Sequence, residues 1–145
     1  PQNFPEVRIR QFAQLLWQEE FLYSRMMDAE SIEAMRELFS LQSIEEDRYP
    51  QLELAPAIGA ASIDTLLINT AIPFMYAYGY TGKALKLLEA MPSEKNNVIR
   101  QWQLLGQTVR SAADTQALIH LQMNYCADSR CVNCDVAYQV FLQLQ

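Results

Sequence analysis

The sequence predicts an all-α protein, an irregular bundle of about six to seven helices built by one domain over residues 1–145. Three observations carry that expectation. Half of the 145 residues are apolar and 19% are charged, the composition of a packed core rather than of a disordered tail. Four glycines and six prolines are few for the many turns of an all-β protein, while Leu, Ala, Gln and Glu, all good helix formers, are abundant. Finally, apolar residues recur at the helical period in one segment after another, and cap and stop residues separate the segments.

Taken in order, Pro5 suits a first helical turn, and Phe12, Leu15, Leu16, Leu22, Tyr23 and Met26 follow at helical spacing. This reads as one long amphipathic helix with Gln11, Gln18 and Arg25 among its polar positions. Ser31 is placed as an N-cap ahead of Ile32, Met35, Leu38 and Phe39. From Gln42 to Ala61 the period fails amid Glu45, Glu46, Asp47, Pro50, Pro56 and Gly59, which predicts a long loop. Ser62 is expected to cap a helix that is apolar almost all round and therefore central. Pro73 inside it removes a backbone hydrogen bond and should kink the helix near Asn69, whose carbonyl the ring would crowd. Gly79 and Gly82 mark a break before a short helix from Ala84 to Met91. Ser93 and Glu94 start another, bearing Val98, Ile99, Trp102 and Leu105 and stopped by Gly106. Ser111 with Asp114 reads as a capping box ahead of Leu118, Leu121 and Tyr125, and residues 136–144 form a last helix. No strand and no internal repeat is expected.

Charge and targeting signals narrow the function classes. With a net charge of −6 and only 11 Lys and Arg, scattered singly, the chain has no basic groove with which to displace counterions from nucleic acid. It carries no basic region followed by an apolar stretch that would direct secretion. Its most apolar stretch, Leu66 to Tyr78, is about half of what a membrane span requires and holds Asn69 and Pro73. Three cysteines within nine positions make poor material for a secreted disulfide framework. A reducing, cytoplasmic setting is the expectation.

The one feature with a chemical signature is Cys126-Ala-Asp-Ser-Arg-Cys131-Val-Asn-Cys134. A Cys-x2-Cys pair turns two sulfurs onto one metal ion, so Cys126, Cys131 and Cys134 are the candidate ligands of zinc, or of an iron–sulfur cluster completed outside this chain. Arg130 is placed to stabilise thiolates. Three cysteines are one short of a closed tetrahedral site, and three reduced thiols closing a turn between two helices, or an oxidised pair, fit the spacing too. His120, the only histidine, is a poor fourth ligand. On a continuous helix it lies about 9 Å along the axis and roughly 120° around it from Cys126. It falls opposite Leu118, Leu121 and Tyr125, which predicts a solvent-facing side chain. Asp128, Asp135 or water would compete for the place.

Other polar residues carry less. Asp64 and Asn69 stand on an apolar helix where a buried polar group needs a partner; a hydrogen bond between helices, or a pocket shared with Tyr76 or Tyr78, would supply one. Glu19 and Glu20 are adjacent, point apart and form no acid–base dyad. There is no nucleophile elbow, phosphate loop or His-x-x-x-His pair. Phe4, Val7, Trp17 and Phe21 lie off the main stripe of the first helix and give it a second apolar aspect.

Several of these residues resemble a bacterial family of unknown function, domain-of-unknown-function family 2851. Residues 1–8, Pro-Gln-Asn-Phe-Pro-Glu-Val-Arg, are similar to its Arg-Pro-x-Asn-Phe-Pro-x-x-Arg segment. Further similarities are Ser62-Ile63-Asp64, Ile68-Asn69-Thr70, Pro73-Phe74, Ala77-Tyr78-Gly79, residues 96–99, Asp114 to Leu118, and Tyr125-Cys126 with Cys131-Val-Asn-Cys134. Only the loop from Gln42 to Gly59 departs, lacking a basic stretch that members often carry. The resemblance implies that this chain is the C-terminal part of a longer protein whose preceding half is similar to a restriction-endonuclease-like core. It assigns no activity to the residues present here. The opening on Pro1 rather than Met also suggests a cropped chain.

No residue is a catalytic candidate, and three functions fit the sequence. The first is a helical accessory domain of a larger, nucleic-acid-processing protein, with the cysteines pinning the last two helices through a structural metal. The second is a metal-free structural or protein-interaction domain, whose apolar faces meet the missing N-terminal half or another copy in a homo-oligomer. Small-molecule binding near Asp64 and Asn69 is the third.

Overall fold

The computed structural model describes residues 4–41 and 55–143, and among them the protein is helical throughout. Eight helical segments follow one another: α1 Pro5–Gln18, α2 Leu22–Asp28, α3 Ile32–Leu38, α4 at 60–77, α5 Thr81–Ala90, α6 Asn97–Leu104, α7 at 112–126 and α8 Asp135–Gln143. An isolated antiparallel bridge between Pro92 and Ser111 is the single extended pairing among the described residues. The expected loop from Gln42 falls, up to residue 54, outside the described residues. The chain divides into two compact units, residues 1–87 and 88–145, the division falling within α5.

In the first unit the expected long first helix is two. The chain breaks at Glu19–Phe21, with Phe21 outside helical geometry, and Glu19, buried at this break, pairs with Arg25. The core is rich in methionine: Met26, Met27, Met35 and Met75 are buried with Leu15, Ile32, Leu38, Ile63, Leu67 and Ile72. Ser31 caps α3 as expected, its Oγ accepting from the Ala34 amide at 3.1 Å. The start of α4 is earlier than its Ser62 signal implied, since Gly59 holds the cap position.

Two expectations about α1 and α4 are reversed. α1 buries Gln11, Gln14 and Leu15 and turns Ile9, Phe12 and Leu16 outward. Its glutamines serve main-chain groups that no helix satisfies. Gln11 Nε2 donates to the Pro56 carbonyl at 2.8 Å, Gln14 Oε1 accepts from the Ala55 amide at 3.0 Å, and Gln18 Nε2 donates to the Ser40 carbonyl at 2.8 Å. Backbone groups outside helices need partners where water is partly excluded, and the amide face of α1 supplies them. Nor is α4 central on all sides: Ile63, Leu67, Ile68, Ile72 and Met75 are buried, whereas Phe74, Tyr76 and Tyr78 are exposed, and Phe74 and Tyr78 pack with Tyr23 as an aromatic group.

At the place ahead of Pro73 where a kink is expected, the backbone forms a π turn over Leu67–Ala71, in which the Ile72 amide reaches back to the Leu67 carbonyl. Proline has no N–H to give the Asn69 carbonyl and its ring crowds that oxygen. Widening the turn by one residue relieves both, at a place where such turns serve to accommodate a break in the ladder.

In the second unit the box at α7 is formed: Ser111 Oγ accepts from the Asp114 amide, and Asp114 Oδ2 accepts from the Arg110 and Ser111 amides at 2.8 and 3.2 Å. Asn96, not Ser93, caps α6, its Oδ1 accepting from the Ile99 amide at 3.0 Å. Glu94 instead ties the preceding loop to α7, accepting from Gln116 Nε2 at 2.6 Å with the buried Thr115 hydroxyl 3.2 Å away. Gly79 and Gly106 end α4 and α6 in left-handed geometry, with φ of 94° and 88°. Leu105, expected on the buried face of α6, is exposed.

The two amide bonds, Arg110 before Ser111 in strength, hold the Asp114 carboxyl below its ordinary range. A depressed folded-state pKa adds stability that is complete above the unfolded pKa and is lost as pH falls through the folded one. Asp114→Ala should therefore lower the denaturation midpoint at neutral pH, and the gap from the parent chain should close on acidification below the carboxylate range. A gap that stays constant with pH would show that the carboxylate charge is not what the box uses.

Candidate functional site

The cysteines sit where α7 ends and α8 begins. The last residues of α7, Gln122–Cys126, form a π turn. The chain then reverses in a Schellman motif: the Arg130 amide donates to the Tyr125 carbonyl at 2.9 Å and the Ser129 amide to the Cys126 carbonyl at 3.1 Å. Ser129 takes the left-handed position with φ of 55°, a conformation in which glycine is usual. A 3-10 turn over Cys131–Asn133 follows, and the Cys134 carbonyl accepts from the Tyr138 amide to open α8.

All three cysteines are free thiols; Cys126 and Cys131 are exposed and Cys134 is buried. Partial desolvation and the neighbouring Cys134 and Cys131 thiols push the Cys126 thiol above its ordinary range. Arg130, expected to stabilise thiolates, lies 3.5 Å from Asp128. Among the described residues no group of three or more His, Cys, Asp or Glu side chains is placed to hold a metal ion. His120 faces solvent as expected, its Nδ1 3.1 Å from Asn124 Nδ2 and its ring against Tyr125.

In the first unit a cavity of about 670 Å³ opens between α1 and α4. Phe12, Leu15 and Leu66 form its apolar wall, with Arg8, Ser62 and Asn69 as polar neighbours. Arg8 joins the two helices, donating to Gln11 Oε1 at 2.9 Å and to Ser62 Oγ at 3.3 Å. No carboxylate, imidazole, thiol or amine lines it among the described residues. Asp64 is not part of this wall; its two oxygens meet Arg36 Nε and Nη2 at 2.7 and 3.1 Å, a bond between α3 and α4 that raises the Arg36 pKa further. Asn69 bonds its own helix instead, Nδ2 donating to the Thr65 carbonyl at 3.0 Å. The pocket imagined around Asp64, Asn69, Tyr76 and Tyr78 is thus dispersed.

Two helices, α1 and α8, carry exposed apolar side chains in number. Ile9, Phe12, Leu16 and Trp17 are all about half exposed or more, and Phe21 beyond the helix is 65% exposed. α8 buries none of its residues and exposes Val136, Tyr138, Val140, Phe141 and Leu142. No described helix is long and apolar enough to cross a membrane.

An all-α protein with outward apolar helix faces is the class these features define. The family described as a protein of unknown function, DUF2851, matches residues 1–97, and the chain belongs to it. The match runs through residues 42–59 and ends before Asp114 and the three cysteines. No curated protein and no solved structure matches the chain.

Proposed function

We propose that this chain is a helical accessory domain, the C-terminal part of a longer cytoplasmic bacterial protein that processes nucleic acid, and that it docks onto the rest of that protein through the outward face of α1. The observation that carries this reading is the row Ile9, Phe12 and Leu16 on one side of α1, with Trp17 and Phe21 further along the chain, each about half exposed or more. Contiguous apolar surface of this kind marks an interface. The face that a lone amphipathic helix would bury is the one left outside. Any nucleic-acid contact belongs to the preceding half, because the net charge here is −6 and four of the eleven cations are paired with acids: Arg25 with Glu19, Arg36 with Asp64, Lys83 with Glu30 and Arg130 with Asp128. Zinc at Cys126, Cys131 and Cys134 would need a donor set that the described residues do not form.

The test is to produce residues 1–145 and the preceding polypeptide as separate chains and follow Trp17 emission in a Trp102→Phe background. Mixing should shift the emission to the blue, and Phe12→Asp should weaken association by about 30-fold, the loss of one interface hot spot. Two outcomes would overturn the proposal: no association, or an isolated chain that forms a dimer broken by the same substitution.

A further inference from the structure

Cys131 and Cys134 close the two ends of one 3-10 turn, the Cys134 amide donating to the Cys131 carbonyl at 3.2 Å. In such a turn side chains three residues apart eclipse, and three rises of about 2 Å place their Cα atoms about 6 Å apart. A disulfide spans that separation without moving the backbone. The turn is fastened on both sides, upstream by the Schellman motif and downstream by the first hydrogen bond of α8. Side-chain rotation alone can therefore bring the sulfurs together. The two thiols differ in access: Cys131 is exposed, while Cys134 is only 7% accessible. One residue is open to solvent and the other is shielded from it.

We infer that Cys131 and Cys134 form a redox-active dithiol that exchanges with low-molecular-weight disulfides such as oxidised glutathione. The Cys131 thiolate attacks one sulfur of the oxidant, forming a mixed disulfide and expelling one glutathione thiolate. The Cys134 thiolate then attacks the Cys131 sulfur, closing the intramolecular disulfide and expelling the second. The protons lost by the two cysteines end on the two glutathione thiols. The protein dithiol is oxidised by two electrons, and the oxidant is reduced to two thiols. The product ties the turn shut immediately ahead of α8, and reduced glutathione reverses it. Cys126, at the end of α7, is not required.

The experiment equilibrates the folded chain, pretreated with a chelator or not, in oxidised or reduced glutathione, then alkylates free thiols and maps the peptides by mass. The expected product has lost the alkylatable thiols of Cys131 and Cys134, carries no glutathione on either, and yields a peptide joined between them. Cys134→Ser should instead keep glutathione on Cys131, since nothing resolves the mixed disulfide. Cys131→Ser should leave Cys134 unmodified in the folded chain. The inference is overturned if both thiols remain alkylatable, if the bond maps to Cys126, or if the parent accumulates the same mixed disulfide as Cys134→Ser. Protection from oxidation that chelation relieves would assign the thiols to a metal and overturn it as well.

Discussion

Leu15→Ala should destabilise the protein by about 2–4 kcal/mol, while Leu16→Ala, one residue further on, should change stability by no more than about 0.5 kcal/mol. The two leucines are chemically identical and occupy the same helix, so propensity cancels. What separates them is burial: Leu15 is 2% exposed and Leu16 is 49% exposed. Truncating the first removes apolar contacts and leaves a void that the glutamine-lined side of α1 cannot fill. Truncating the second removes surface that already meets water. Chemical denaturation of the two variants measures the difference directly. Equal losses would place both leucines in the core and cancel the inverted orientation of α1, together with the docking face that rests on it. A loss confined to Leu16 would contradict the structure outright.

The second large effect is a coupling. Deleting Thr70 should cost about 3 kcal/mol more in the parent chain than in a Pro73→Ala background. Thr70 lies exposed within the π turn Leu67–Ala71, and that turn holds one residue more than an α turn. Its removal allows α4 to continue as a regular helix with Ile63 and Leu67 still on the same side as Ile72 and Met75. With Pro73 in place, that regular helix restores the clash between the ring and the carbonyl four residues earlier. With alanine there, no clash arises. A double-mutant cycle read by denaturant midpoint isolates the coupling. Additive losses would show that the π turn exists for some reason other than the proline.

The sequence determined the fold class, because periodicity and caps are local. Ser31, the Ser111–Asp114 box and the glycines at 79 and 106 all act through main-chain groups within four residues, and each is found where its spacing placed it. Pro73 disturbed the helix at the expected residues for the same reason: its effect reaches only one turn back. The thiol turn was legible as a cluster, since Cys131 and Cys134 are bound to lie together by three residues of chain.

What tertiary structure alone decided is which side of each helix faces in. α1 carries two stripes with the helical period, one apolar and one of glutamines, and periodicity cannot rank them. The structure ranks them through main-chain groups at Ser40, Ala55 and Pro56, distant in sequence and outside any helix, which Gln18, Gln14 and Gln11 bond. The partner of Asp64 was equally out of reach, because Arg36 lies 28 residues away on another helix. Capping and proline effects are short-range and can be read along the chain. Burial and ion pairing depend on which segments meet, which only the folded chain supplies.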